Sequence, residues 1–505
     1  MKSLIPLVTI WVSLLLCTQF AAAQIQTYDA PQDPHYTAEA VYEVGPVMNT
    51  NRHNHHAIVL PDGTVALIGG RTTGFTSLNT AEIFDPETQE FTTHSMKFTH
   101  DFTTVVKMND GRYMLAGGAS NMGVPNFAHT EIFDPVSLEF TETGNMVLFR
   151  ASGGGTALPD GRVVIASAWW THNNAHTYGE LYDPETGTFS QIGPFHISRS
   201  HGTVITTADG KAMLLGGRRP TGSREVLPVE LYDPDTDEIS IVQDYLLVED
   251  EAWTFSINNT VTASQQLANG NYLWIADNQV GELTSYKLIT ADVETMEISE
   301  METTPPLPDS DSFWFINQPV IDLEHNRAYL IARVRDLTDY YVAVFTVDLE
   351  EGTLTESSNY HALEGYELRS APAVLLPDGR LFVSGGSVSD NFNAVNNTLF
   401  ITPPQPVATS VEAPDEVPAA IMLHQNYPNP FNPVTQITFG LDHHTNVKLD
   451  VYDITGRHIR TLTDNPYPAG THTVPFDATA LSSGIYIYRL SAGHTILTRK
   501  MMLVK

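Results

Sequence analysis

The chain has 505 residues, with 26 Lys and Arg against 59 Asp and Glu, for a formal charge of −33 at pH 7. Such acidity excludes nucleic acid as a partner, because phosphate contacts need a surplus of cations. The single cysteine, Cys17, sits so early that a chain processed after residue 23 has no disulfide, thiolate metal site or cysteine nucleophile.

Residues 1–23 read as a secretory signal peptide: basic Lys2, an apolar run from Leu4 to Leu16, and a small-residue cleavage pattern at Ala21-Ala22-Ala23. Cys17 follows Leu15-Leu16 and lacks the small residues that precede a lipid-modified cysteine, so cleavage after Ala23 is expected. No later stretch approaches the roughly 18 apolar residues of a membrane helix, and no transmembrane segment is expected.

From about residue 40 a hairpin signal recurs seven times, with its fourth position at Gly63, Gly111, Gly161, Gly210, Gly270, Asn326 and Gly379. The spacings are 48, 50, 49, 60, 56 and 53 residues. In the clearest copies Pro presets the turn, Asp bonds its own backbone and Gly takes the positive φ that closes it. Each turn leads into an apolar strand ending in small residues, as at Gly69-Gly70, Gly117-Gly118, Gly216-Gly217 and Gly385-Gly386. A third strand follows as Ala81-Glu-Ile-Phe-Asp-Pro86, Thr130-Glu-Ile-Phe-Asp-Pro135, Gly179-Glu-Leu-Tyr-Asp-Pro184 and Val229-Glu-Leu-Tyr-Asp-Pro234, and a Thr/Phe-rich fourth strand comes after it.

This combination of turn, Gly-Gly and Tyr/Phe-Asp-Pro resembles the kelch repeat and covers roughly residues 40–402. The resemblance implies an all-β fold, a seven-bladed kelch-type β-propeller over residues 24–402. The last copy lacks a fourth strand, and Ala40-Val-Tyr-Glu-Val-Gly45 is expected to supply it and close the ring.

Residues 403–420 form a Pro-rich linker. Beyond it, Tyr427-Pro428-Asn429-Pro430-Phe431-Asn432-Pro433, a turn at Gly456, a strand after Gly484 and the basic ending from Lys500 to Lys505 mark a small β-sandwich, immunoglobulin-like in kind, over 421–505. It resembles the type A C-terminal sorting domain of type IX secretion. That resemblance implies the secretion machinery as a partner and an extracellular or outer-surface location. The sorting segment carries seven Lys and Arg against five Asp and Glu, which leaves −35 for residues 1–420.

Candidate ligand positions lie where the inner strands begin. Arg52, His100, Arg150 and Arg199 stand eleven residues before a hairpin glycine, and Arg369 stands ten before its own. This partial cationic ring could grip a carboxylate or sulfate, or it could bond carbonyls and carboxylates of the scaffold. His53 and His55 alternate on one side of the first inner strand, with His201 a further candidate. They lack the remaining ligands of a recognisable metal motif, and no metal is assigned. Trp169 and Trp170 interrupt the third Gly-Gly pattern and suit sugar stacking or blade packing. Asp233-Pro-Asp-Thr-Asp-Glu238 lacks the glycine and distal glutamate of a calcium loop, so calcium has no motif behind it and no cofactor is expected.

Secreted kelch propellers include oxidases resembling galactose oxidase, whose copper radical site uses a tyrosine cross-linked to a cysteine. With Cys17 removed that chemistry is excluded in its known form, whatever His53, His55 and Tyr178 suggest. The Ser-x-Asp-x-Gly-x-x-Trp boxes of sialidase-like propellers are absent as well. The expected function is a secreted, non-catalytic binding module for extracellular glycans or proteins. The alternative is a carbohydrate-active epimerase, lyase or hydrolase working at the pore mouth.

Overall fold

The hairpins close as their turn chemistry demands in the computed structural model. Gly63, Gly161 and Gly379 have φ of 88°, 94° and 85°, and Asn326 reaches the same left-handed region at 53°. The aspartates seal these turns: Asp62 accepts the Thr64 N–H at 3.0 Å and Asp160 the Arg162 N–H at 2.9 Å. The structure describes residues 37–503 except 75, 119–127, 169–176, 218, 220–226, 244–246, 249–250, 253–261, 281–282, 309–312, 337–338, 364–366, 389–392, 405–420, 425, 427–428, 430, 432, 442, 455, 468, 480 and 494.

Four antiparallel sheets of identical connectivity follow in chain order. In the first, His56–Val59, Val65–Ile68, Thr80–Asp85 and Glu90–Ser95 lie side by side in sequence order. The next three run from Thr104–Lys107 to Phe140–Glu142, from Gly154–Ala157 to Thr188–Ile192, and from Thr203–Thr206 to Glu238–Gln243. Burial explains the sequence pattern. The second strand, Val65–Ile68, is covered along its whole length and reads as an unbroken apolar run, whereas the fourth, Glu90–Ser95, is largely exposed and rich in threonine.

The Gly-Gly steps bring consecutive sheets into backbone contact. A Cβ on Gly69 would stand 2.0 Å from the His100 carbonyl oxygen, and one on Gly385 would stand 2.2 Å from that of Arg52. No larger residue fits there.

Among the described residues the fifth sheet has three strands. It contains Tyr272–Val280, Leu283–Ala291 and Ile298–Met301, and its innermost place holds an isolated bridge from Gln266 to Tyr272, after the 3-10 turn Thr262–Gln265. The sixth is built on Val320–Asp322, Arg327–Asp336, Asp339–Asp348 and Leu354–Ser357. In the last, Ala373–Leu375, Leu381–Ser384 and Thr398–Thr402 are joined by Val41–Val44, antiparallel with Val41 opposite Thr402. The N-terminal strand expected from the sequence is therefore paired with the last repeat. The segment before it, Thr37–Ala38, also runs parallel to Glu356 and Ser357 of the preceding sheet. Between the two, Asn359 and Ala40 exchange two hydrogen bonds of 2.8 Å each.

The chain divides into two compact units, Met1–Pro406 and Val407–Lys505. In the second, Met422–Leu423, Val434–Leu441 and Gly470–Asp477 form one sheet; His458–Tyr467, Thr445–Asp453, Gly484–Ala492 and Thr495–Leu503 form another. Alternating residues such as Ile437, Phe439, Leu449, Val451, Tyr488 and Leu490 meet in one core. Among the described residues no helix is long and apolar enough to cross a membrane.

Candidate functional site

The cationic residues at the strand entries are drawn into the sheets. Arg52, Arg150 and Arg199 are each 0 % exposed and His100 is 1 % exposed. Each meets the glutamate 30 or 31 residues later: Arg52 Nη2 reaches Glu82 at 2.6 Å, His100 Nε2 reaches Glu131 at 2.9 Å, Arg150 Nη2 reaches Glu180 at 3.1 Å and Arg199 Nη2 reaches Glu230 at 2.9 Å. Other Nη protons go to carbonyls, for example from Arg150 to Ser167 and Tyr178 and from Arg199 to Gly216, while the buried Nε of each arginine has no hydrogen-bond partner. Each glutamate also accepts backbone N–H groups from the loop entering its sheet; Glu180 takes those of Val147 and Leu148. Burial lowers the pKa of the three arginines and the partner glutamates oppose it. These are the clamps that tie a loop, an inner-strand entry and a third strand together. The glutamates stand in the Glu-Ile/Leu-Phe/Tyr-Asp-Pro motif, and their constant distance from the cation was the signal in the sequence that identifies them.

The histidines are buried too. His53 pairs through its backbone with Arg71, His55 Nε2 lies 2.9 Å from Ser384 Oγ, and His201 donates its backbone N–H to Ser152. Burial, with the Arg52 cation next, holds His55 well below the usual imidazole range, and burial lowers its neighbour His56 to about 4. Arg369 is exposed and pairs by backbone with Ser387, while Trp169 and Trp170 lie outside the described residues.

In the sorting segment, Tyr427, Pro428, Pro430, Asn432 and Lys505 are outside the described residues. Asn429 Oδ1 accepts the Met502 N–H at 2.7 Å, and Phe431, 2 % exposed, donates its N–H to the Met502 carbonyl. Pro433 accepts from Ala478, Gly456 closes the turn begun at Asp453, Gly484 opens a strand, and Lys500 stands opposite Ile487 on the last strand. The entry motif is thus stitched to the C-terminal strand.

A cavity of 580 Å³ in the first unit reaches the inner strands of the first and last sheets and the fifth sheet. Among the described residues, the innermost place of the fifth sheet beside it holds only the bridge from Gln266 to Tyr272. There Gln318 satisfies the sheet edge with its amide: Oε1 accepts the Ile275 N–H at 2.9 Å and Nε2 donates to the Ile275 carbonyl at 3.4 Å. Two further amides line the space with acceptors that have no partner in the protein, Gln265 Oε1 and Asn317 Oδ1. Leaving such an oxygen unsatisfied costs about 1–3 kcal/mol. Trp314 and Tyr286 form aromatic wall, with the Arg333 guanidinium 4.9 Å from the Trp314 ring and Phe315 edge-on to Tyr286. The sequence reading missed these residues, because they fall in the two repeats whose pattern is degraded.

The chain is all-β, and its fold is similar to that of a fungal alcohol oxidase of the AA5 family solved with copper, at a TM-score of 0.51 and 12 % identity over 92 % of this chain and 100 % of that one. The residues here do not fit a copper radical centre. Cys17 is the one cysteine, His55 Nε2 is engaged by Ser384, and among the described residues no three His, Cys, Asp or Glu converge. Residues 425–505 match the family of secretion system C-terminal sorting domains. The protein is accordingly secreted or held at the cell surface, and this domain is its point of engagement with the type IX machinery. No curated protein matches the chain.

Proposed function

We propose that this is a kelch-type seven-bladed propeller over residues 24–402, followed by a linker at 403–420 and an immunoglobulin-like sorting domain at 421–505, and that the propeller binds an extracellular glycan or protein without transforming it. The observation that carries the reading is the cavity walled by Gln265, Asn317 and Gln318 amides and by Trp314 and Tyr286. Amides and aromatic rings orient a ligand through hydrogen bonds and apolar contact. The arginine and histidine clamps support the same reading, since Arg52, Arg150 and Arg199 each spend an Nη group, and His100 its Nε2, on a buried glutamate of the scaffold.

A glycan array probed with the exported chain, with and without calcium, tests this, and mass spectrometry of the bound sugars afterwards reports any conversion. Retention of unmodified glycans is the expected result. Release of an altered sugar would make the protein a carbohydrate-active enzyme.

A further inference from the structure

We infer that the cavity beside the fifth sheet binds a neutral sugar unit or similar polyol, whose hydroxyl groups donate to Gln265 Oε1 and Asn317 Oδ1. The inference rests on the recognition reading above and gives it a ligand class and a location.

Gln265 is 2 % exposed, and its amide cannot be turned around. Its Nε2 donates to the Pro319 carbonyl at 3.1 Å, an oxygen that only accepts, and it also lies 3.3 Å from Ser264 Oγ. That leaves Oε1 as a buried acceptor with no donor from the protein, in the wall of the cavity. Asn317 presents a second such oxygen to the same space. One fixed acceptor, Gln265 Oε1, with a second amide oxygen at Asn317, calls for an occupant that carries hydrogen-bond donors.

Charge narrows the class. Among the described residues that line the cavity, one cation, Lys107, stands against one anion, Asp277, so these charges sum to zero. An anionic ligand would in addition meet a chain of net charge −33. The volume of 580 Å³ falls in the range of roughly 300–1,000 Å³ usual for small-molecule sites. A neutral polyhydroxy compound satisfies size, charge and donor requirement together.

The test is titration calorimetry of the exported chain with methyl glycosides of neutral hexoses and with the matching hexuronic acids. Neutral glycosides are expected to bind and the uronates to bind at least tenfold more weakly. Gln265→Leu should weaken the neutral ligand tenfold or more. Ala57→Phe, which projects a ring into the cavity and removes no hydrogen bond, should do the same while keeping the wild-type urea midpoint, so a folding defect in the first variant leaves the test intact. Equal binding by wild type and Ala57→Phe would overturn the cavity assignment and leave glycan recognition standing, as would a positive glycan array with no glycoside binding in calorimetry. Tighter binding of uronates would overturn the neutral class. No binding on the array or in the calorimeter would overturn both this inference and the sugar reading.

Discussion

Replacing Arg150 by Met tests whether the clamps are scaffold. The side chain is 0 % exposed and donates to Glu180, to the Tyr178 carbonyl and to the Ser167 carbonyl. Breaking a buried pair by removing one partner costs about 3–5 kcal/mol. Here Glu180 keeps the N–H groups of Val147 and Leu148, so the loss belongs at the lower end, about 3 kcal/mol. Against a total of roughly 5–15 kcal/mol for a folded domain this is a large fraction, yet the protein still folds. Urea unfolding followed by tryptophan emission reads the first unit alone, because all six tryptophans precede residue 315. Adding Glu180→Gln to Arg150→Met removes the stranded charge and keeps an acceptor, so it should recover part of the loss. An unchanged midpoint for Arg150→Met, together with lost ligand binding, would refute the clamp and return the guanidinium to a ligand site.

Three further outcomes are expected. His56 is held at about 4 by burial, below the value of 6.5 for the unfolded chain, so unfolding takes up a proton and the stability it confers is lost as pH falls from 6.5 towards 4. Between pH 7.5 and pH 5 that amounts to about 2 kcal/mol, and the destabilisation of His56→Gln relative to wild type should shrink by this much; a difference independent of pH would contradict it. The comparison between variants is needed because Asp101, raised to about 6 by burial against the pull of Arg71, acts in the opposite direction. Asn359→Ala removes both bonds to Ala40 and should cost about 1–3 kcal/mol in the same urea assay, whereas a neutral result would mean that the N-terminal strand contributes little to closing the last sheet. Truncation before residue 421 should keep the protein on the cell side of the outer membrane in fractionation, and normal export of the truncated chain would contradict the assigned role of the sorting domain.

The hairpins were legible because their chemistry is local: Pro-Asp-Gly around Gly63 specifies its turn without help from the rest of the chain. The strand Val41–Val44 could be assigned because the last repeat lacked a partner for Thr398–Thr402. The parallel pairing of Thr37–Ala38 could not, since two residues carry no periodicity. For the cations at the strand entries, spacing singled out Arg52 and Arg150 but left their direction open. Their direction depends on Glu82 and Glu180, whose meeting with the arginines is tertiary. The cavity was hidden for a related reason. Gln265, Asn317 and Gln318 do their work where the repeat fails, and the lengthened interval of 60 residues between Gly210 and Gly270 was the trace it left in the sequence.

Buried clamps and a ligand cavity are separate sites in this protein if one glycan array, probed in parallel with wild type, Arg150→Met and Asn317→Leu at a temperature where all three are folded, distinguishes the two variants. Wild type and Arg150→Met are predicted to retain the same set of glycans, and Asn317→Leu to lose it. Loss with Arg150→Met and retention with Asn317→Leu would contradict the account.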